Sequence, residues 1–137
     1  MQDFRELSVW EKSHKLVLLV YDATATASER RFPGLTSQIR RAAASVPANI
    51  AEGCGHATQR ELARFLSIAL ASAFELHYHI QLAVDLGAID RSTYARLDAR
   101  TEQVKKMLTA LASKVRQSAE RNRSAKPSVE GPPTDNR

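Results

Sequence analysis

The sequence predicts an all-α fold: an antiparallel, up-down-up-down four-helix bundle with a disordered C-terminal tail. Three observations carry that expectation. Apolar residues recur at steps of three and four through four long stretches of the chain. Helix breakers are sparse and late: of five glycines and five prolines, Pro127, Gly131, Pro132 and Pro133 crowd into the extreme C-terminus. Aromatic residues make up 6% of the sequence and β-branched runs are absent, which argues against a sheet. A chain of 137 residues, 43% hydrophobic and 26% charged, suits one globular domain with a sizeable core. The bundle is expected over residues 1–117 and the tail over residues 118–137.

The first helix is expected from about Leu7 to Ser28, with Leu7, Trp10, Leu16, Val17, Val20, Tyr21 and Thr24 forming one stripe. Pro33 and Gly34 then turn the chain. Leu35, Ile39, Ala42, Val46 and Ile50 mark one face of a second helix. Pro47 lies inside it, lacks the amide that would bond the Ala43 carbonyl, and predicts a kink. Asn49 could satisfy groups freed there. The Gly53-Cys54-Gly55 run should stop the helix through a left-handed glycine.

Thr58 followed by Glu61 reads as a capping box for the third helix. From Leu62 to Leu86 its apolar residues wrap most of the way round, and no helix of a four-helix monomer is surrounded that fully. Phe65, Ile68 and Phe74 are therefore candidates for an interface between copies of the chain. Gly87 ends this helix and Asp90 or Ser92 opens the fourth. Tyr94, Leu97, Thr101, Val104, Leu108, Leu111 and Val115 alternate steps of three and four without a slip, the mark of a bundle seam.

Charge is distributed unevenly. Residues 1–90 are nearly balanced, whereas residues 91–123 hold nine Lys and Arg against Asp98, Glu102 and Glu120. Arg96, Arg100, Lys106, Arg121 and Arg123, flanked by Lys105, are candidate phosphate contacts on the outward side of the fourth helix. That face has no aromatic residue, so base stacking is not expected. Arg40 should reach solvent freely and join them. Arg41 shares a stripe with Glu52, and both are expected to pair across a neighbouring helix or subunit, since a buried cation needs a partner.

Catalytic, metal and cofactor sites are not expected. His77 and His79 are two apart and point about 200° away from each other on a helix, so they cannot share an ion. His14 and His56 have no ligand at suitable spacing. Cys54 is the single cysteine, and no neighbour marks it as a nucleophile. The opening MQDFRELSVWEK is not a signal peptide pattern and no apolar run spans a membrane, so a cytoplasmic protein without membrane contact is expected.

The block LTSQIRRAAASVPANIAEGCG at residues 35–55 resembles the signature of the bacterial four-helix-bundle family named after proteins encoded in 23S rRNA intervening sequences. Val9-Trp10 with Lys12, Phe65-Leu66, Ile68-Ala69, Ser72, Glu75-Leu76 and Leu86-Gly87 also fit. The match runs in order over about residues 3–115. Two positions depart: His56 replaces a frequent basic residue, and Ala71 replaces a frequent glycine, which predicts looser helix approach there. One branch of that family serves diversity-generating retroelements. The resemblance implies a ring-shaped homo-pentamer that binds RNA or DNA and docks a reverse transcriptase. The function expected is thus a non-enzymatic oligomeric adaptor that binds nucleic acid through basic surfaces. The rival expectation is a protein–protein interaction or structural module with no nucleic-acid binding.

Overall fold

The computed structural model describes residues 2–125. A short 3-10 turn, η1 (Phe4–Glu6), precedes four helices: α1 (Ser8–Ala23), α2 (Leu35–Cys54), α3 (Gln59–Asp85) and α4 (Arg91–Ser124). Each helix packs antiparallel on its neighbours in the order α1, α2, α3, α4 and back to α1, and α1 and α3 lie diagonally, their backbones nowhere within 8 Å. The up-down-up-down bundle is therefore the fold.

Local chemistry sets most of the ends. The Thr58 side chain accepts from the Glu61 amide at 3.2 Å and starts α3, although Glu61 itself turns to Arg64 at 3.5 Å and leaves the reciprocal half of the box unmade. The Asp90 carboxylate accepts from the Thr93 amide at 2.7 Å and starts α4. Gly87, at φ +75°, closes α3. The Ala88 amide reaches the Ala83 carbonyl at 2.8 Å and the Gly87 amide reaches Val84 at 3.1 Å, the paired bonds of a Schellman cap.

Three expectations about boundaries are corrected. The first helix stops at Ala23, not near Ser28, and Thr24 closes it with both its amide, at 3.0 Å, and its hydroxyl, at 2.8 Å, on the Val20 carbonyl. α2 does not end on a left-handed glycine, since Gly55 sits at φ −75°. Gly53 is needed instead for close approach: a Cβ there would stand 2.8 Å from the Phe65 Cβ and 3.1 Å from Leu62 Cδ1. The fourth helix continues through residues 118–124, where the sequence predicts the tail. The apolar pattern ends at Val115, but no breaker occurs before Pro127, so backbone bonds carry the helix onward. The rest of the tail lies outside the described residues.

The core is one continuous cluster from all four helices. Ile50, Leu66, Leu76, Ile80, Leu97 and Leu108 are wholly enclosed, each stabilising the fold by about 1.5–3 kcal/mol relative to exposure. Small residues let α2 and α3 approach: Ala42, Ala43, Ala69, Ala73 and Ala83 are buried, and the Ser45 and Ser72 hydroxyls bond at 2.8 Å. Ala71 is exposed on the outward side, so its side chain does not govern that approach. Pro47 is buried within α2, which runs through it as one helix. Asn49 donates to the Ser45 carbonyl at 2.8 Å and to its hydroxyl at 3.0 Å, staying within its own helix.

Candidate nucleic-acid interface

Arg96 and Arg100 are one turn apart on α4, which places both on the border with α1. Across that border α1 presents Lys12 and Lys15. The four cations, with Leu16, Leu19, Ala95, Ala99 and Gln103, line a groove of about 560 Å³. No acidic side chain and no aromatic one lies in that lining. Glu11 stands nearby and bonds Lys15 at 2.8 Å, and that bond holds its carboxyl below the usual carboxylate range. Lys12, Arg96 and Arg100 make no ion pair among the described residues. The groove presents charge in a row, suited to phosphates and not to bases.

None of the other cations expected beside Arg96 and Arg100 lines the groove. Lys106 is exposed and lies within about 20° of Ala99 round α4, so it continues that face past Gln103. Arg121 and Arg123 are exposed on the last turns, beyond Val115, the final buried residue of α4. Two residues are corrected outright. Arg40 is not a free cation: its Nε donates to Thr24 Oγ1 at 3.0 Å, its terminal nitrogen reaches the Tyr21 carbonyl at 3.4 Å, and its guanidinium lies 4.5 Å over the Tyr21 ring. It caps the end of α1. Lys105 points to α3, where its Nζ donates to His77 Nδ1 at 3.0 Å and sits 4.1 Å over Phe74, and it also donates to Glu102 Oε1 of its own helix at 3.0 Å. Both are spent on the fold.

Lys105 belongs to a polar joint between α3 and α4. His77 Nε2 lies 2.5 Å from Asp98 Oδ1, so an imidazole with its proton on Nε2 donates to Asp98 and accepts from Lys105. The bond from Lys105 keeps the Glu102 carboxyl below its usual range. Beside it Tyr94 donates to Gln81 at 2.8 Å. His79 turns away toward its own helix, where Glu75 stands 3.4 Å from Nε2. The two histidines diverge as their spacing requires.

The expected interface residues divide. Phe65 is corrected: it is 6% exposed, tucked under Gly53 and stacked on His56 at 5.0 Å, so the protomer itself covers it. Ile68 at 38% and Phe74 at 56% exposure remain on the outside of α3, joined by Tyr78 at 63%. Arg41 and Glu52 are exposed on α2, and among the described residues neither makes an ion pair. The pairing expected for them is not made inside the protomer.

Sequence reasoning missed four residues that matter here. Lys12 and Lys15 lie in a nearly charge-balanced half of the chain, and only their seating opposite Arg96 and Arg100 makes them part of a basic groove. Leu18 falls outside every predicted stripe, and Tyr21 falls on the predicted α1 core face. Both are exposed, at 58% and 46%.

No helix among the described residues is long and apolar enough to cross a membrane. No curated protein is similar enough to match the chain. The bundle is similar to a crystal structure of a protein of unknown function from the S23 ribosomal protein family of Bacteroides thetaiotaomicron. Their TM-score is 0.71 at 24% identity, covering 76% of this chain and 97% of the other. That likeness confirms the fold. The sequence matches the 23S rRNA-intervening sequence proteins over residues 5–110, and the chain belongs to that family.

Proposed function

We propose that the chain is a homo-oligomeric, non-enzymatic adaptor that binds nucleic acid through its phosphates. The observation that carries this reading is the α1/α4 groove, where Lys12, Lys15, Arg96 and Arg100 converge without an acid in the lining. Arginine guanidinium groups bind phosphate through paired N–H donors, and lysines add point charge. Without aromatic platforms or a base-reading element, such a groove binds sequence-independently. The sequence pI of about 9.7 adds long-range attraction.

Self-association is supported by the outside of α3, where Ile68, Phe74 and Tyr78 stay exposed. Copies joined there would array their grooves and raise affinity by multivalency. A pentameric ring and a reverse-transcriptase partner rest on the resemblance alone.

Titrating fluorescent single-stranded RNA and duplex DNA with wild type and with Lys12→Glu/Arg96→Glu/Arg100→Glu tests the reading. Binding lost at unchanged assembly state and helicity supports it. Equal affinity of the two proteins refutes it, and leaves the exposed α3 face as support for a protein–protein module.

A further inference from the structure

The α1/α4 groove does not end at Arg96. A second cavity of about 210 Å³ shares Leu19 and Arg96 with it and adds Asp22 of α1 and Thr93 of α4. Lys12, Lys15, Leu19 and Asp22 follow one another at steps of three and four, so they form a single stripe along α1. α4 runs the other way, and Arg100, Arg96 and Thr93 form the facing stripe. From Lys12 to Asp22 the row extends about 15 Å, and its last step, from Leu19 to Asp22, is about 5 Å. Three levels of cations thus lead to one acid.

Asp22 brings no benefit to the fold. It is exposed in the last turn of α1, a turn without a basic residue, where the carbonyl end of the helix disfavours negative charge. Among the described residues its carboxylate makes no ion pair and accepts no hydrogen bond, although Arg96 lines the same cavity. Thr93, which faces it from α4, is half-buried and neutral, so α4 places no cation at that level. An unpaired carboxylate in line with a phosphate groove repels any nucleic-acid backbone unless the strand offers it a hydrogen.

RNA offers one and DNA does not. Ribose carries its 2′-hydroxyl on the carbon next to the one that bears the 3′-phosphate, and deoxyribose has no polar hydrogen there. We infer that Asp22 accepts the 2′-hydroxyl of a nucleotide whose 3′-phosphate lies on Arg96, so that the groove selects RNA over DNA. This rests on the phosphate-binding groove proposed above and names the nucleic acid it takes. The step of about 5 Å from the level of Arg96 to that of Asp22 matches the step from a phosphate to the adjacent sugar. A hydroxyl donating to a carboxylate makes one of the stronger kinds of hydrogen bond. In a site open to water, one such bond raises affinity about fivefold.

Three labelled single strands test the inference: oligouridylate, its 2′-deoxy form and its 2′-O-methyl form. They share bases and phosphates, and the methylated strand keeps the 2′-oxygen without its hydrogen. Fluorescence anisotropy at low salt should show the wild type binding the RNA about fivefold more tightly than either of the others. Asp22→Ala should bring all three to within about twofold of one another, and the deoxy strand should bind it at least as tightly as it binds wild type. The lost negative charge acts on the three strands alike, so the ratio isolates the hydrogen bond. Asp22 is exposed at a helix end, and circular dichroism should show wild-type helicity for the variant. Equal binding of the three strands by wild type, a methylated strand that binds like RNA, or a preference that survives Asp22→Ala overturns the role of Asp22 while the phosphate groove stands. A wild type that binds none of the three removes both.

Discussion

Replacing Arg40 by alanine separates what the fold assigns to this residue from what its sequence neighbourhood suggests. Its guanidinium holds Thr24 and the Tyr21 carbonyl at the end of α1 and covers the Tyr21 ring. A charge-assisted bond in a half-buried setting contributes about 1 kcal/mol here, below the range for fully buried cases. The contact with the ring adds roughly 0.5–1 kcal/mol. Arg40→Ala should therefore destabilise the protein by about 1–2 kcal/mol, lowering the melting temperature by roughly 3–10 °C for a domain of this size. Its nucleic-acid affinity should stay within about twofold of wild type, since the lost charge is not in the groove. Arg96→Ala should do the opposite. Its melting temperature should hardly move, while one lost phosphate contact at 0.1 M salt weakens binding about five- to eightfold. Arg40→Lys should not rescue stability, because an ammonium cannot reproduce the planar fork. Thermal unfolding by circular dichroism and RNA titration by fluorescence anisotropy read both properties on the same samples. An Arg40→Ala protein that melts like wild type but binds RNA as poorly as Arg96→Ala would refute this assignment.

Three further changes probe the packing. Gly53→Ala forces a methyl to within 2.8 Å of the Phe65 Cβ, so an overpacking cost of about 1–3 kcal/mol should outweigh a helix-propensity gain of about 0.5–1 kcal/mol. Chemical denaturation should show the net loss. Gly87→Ala has open space around it but must adopt φ +75°, costing about 1–2 kcal/mol, with Gly87→Asn costing less. Burial pushes the Cys54 thiol above its ordinary value and shields it, so iodoacetamide at pH 8 should label it far more slowly in the native protein than in denaturant. Equal rates would mean that the end of α2 is open.

Much of the fold was legible because helix periodicity and caps are local signals. Thr58, Gly87 and Asp90 punctuate the chain as their chemistry predicts, and the α4 seam is buried from Leu97 to Val115 except at Leu111, which is half-buried while Ala112 takes the inward place. What the sequence hid depends on neighbours distant in the chain. Gly53 reads as a helix stop until Phe65 is seen against it. Arg40 and Lys105 read as free cations until Tyr21, Thr24, His77 and Glu102 are seen to hold them. The candidate site was half legible for the same reason. A charge count along the chain finds Arg96 and Arg100 but not Lys12 and Lys15, because a groove between two helices takes its charge from both walls. Likewise the apolar wrap of α3 announces an extra surface, but Phe65 turns inward beneath α2, and Ile68, Phe74, Tyr78 and, at the helix end, Leu86 are left outside.

The central claim is that the α1/α4 groove grips phosphates, and salt dependence tests it most directly. Four groove cations neutralising four phosphates predict that log affinity falls with log salt at a slope of about −2.8 for single strands and −3.6 for duplex DNA, per protomer engaged. Raising salt from roughly 50 to 200 mM should thus weaken binding about 50-fold and 150-fold respectively. A flat plot, or no binding at the lowest salt, would contradict the account.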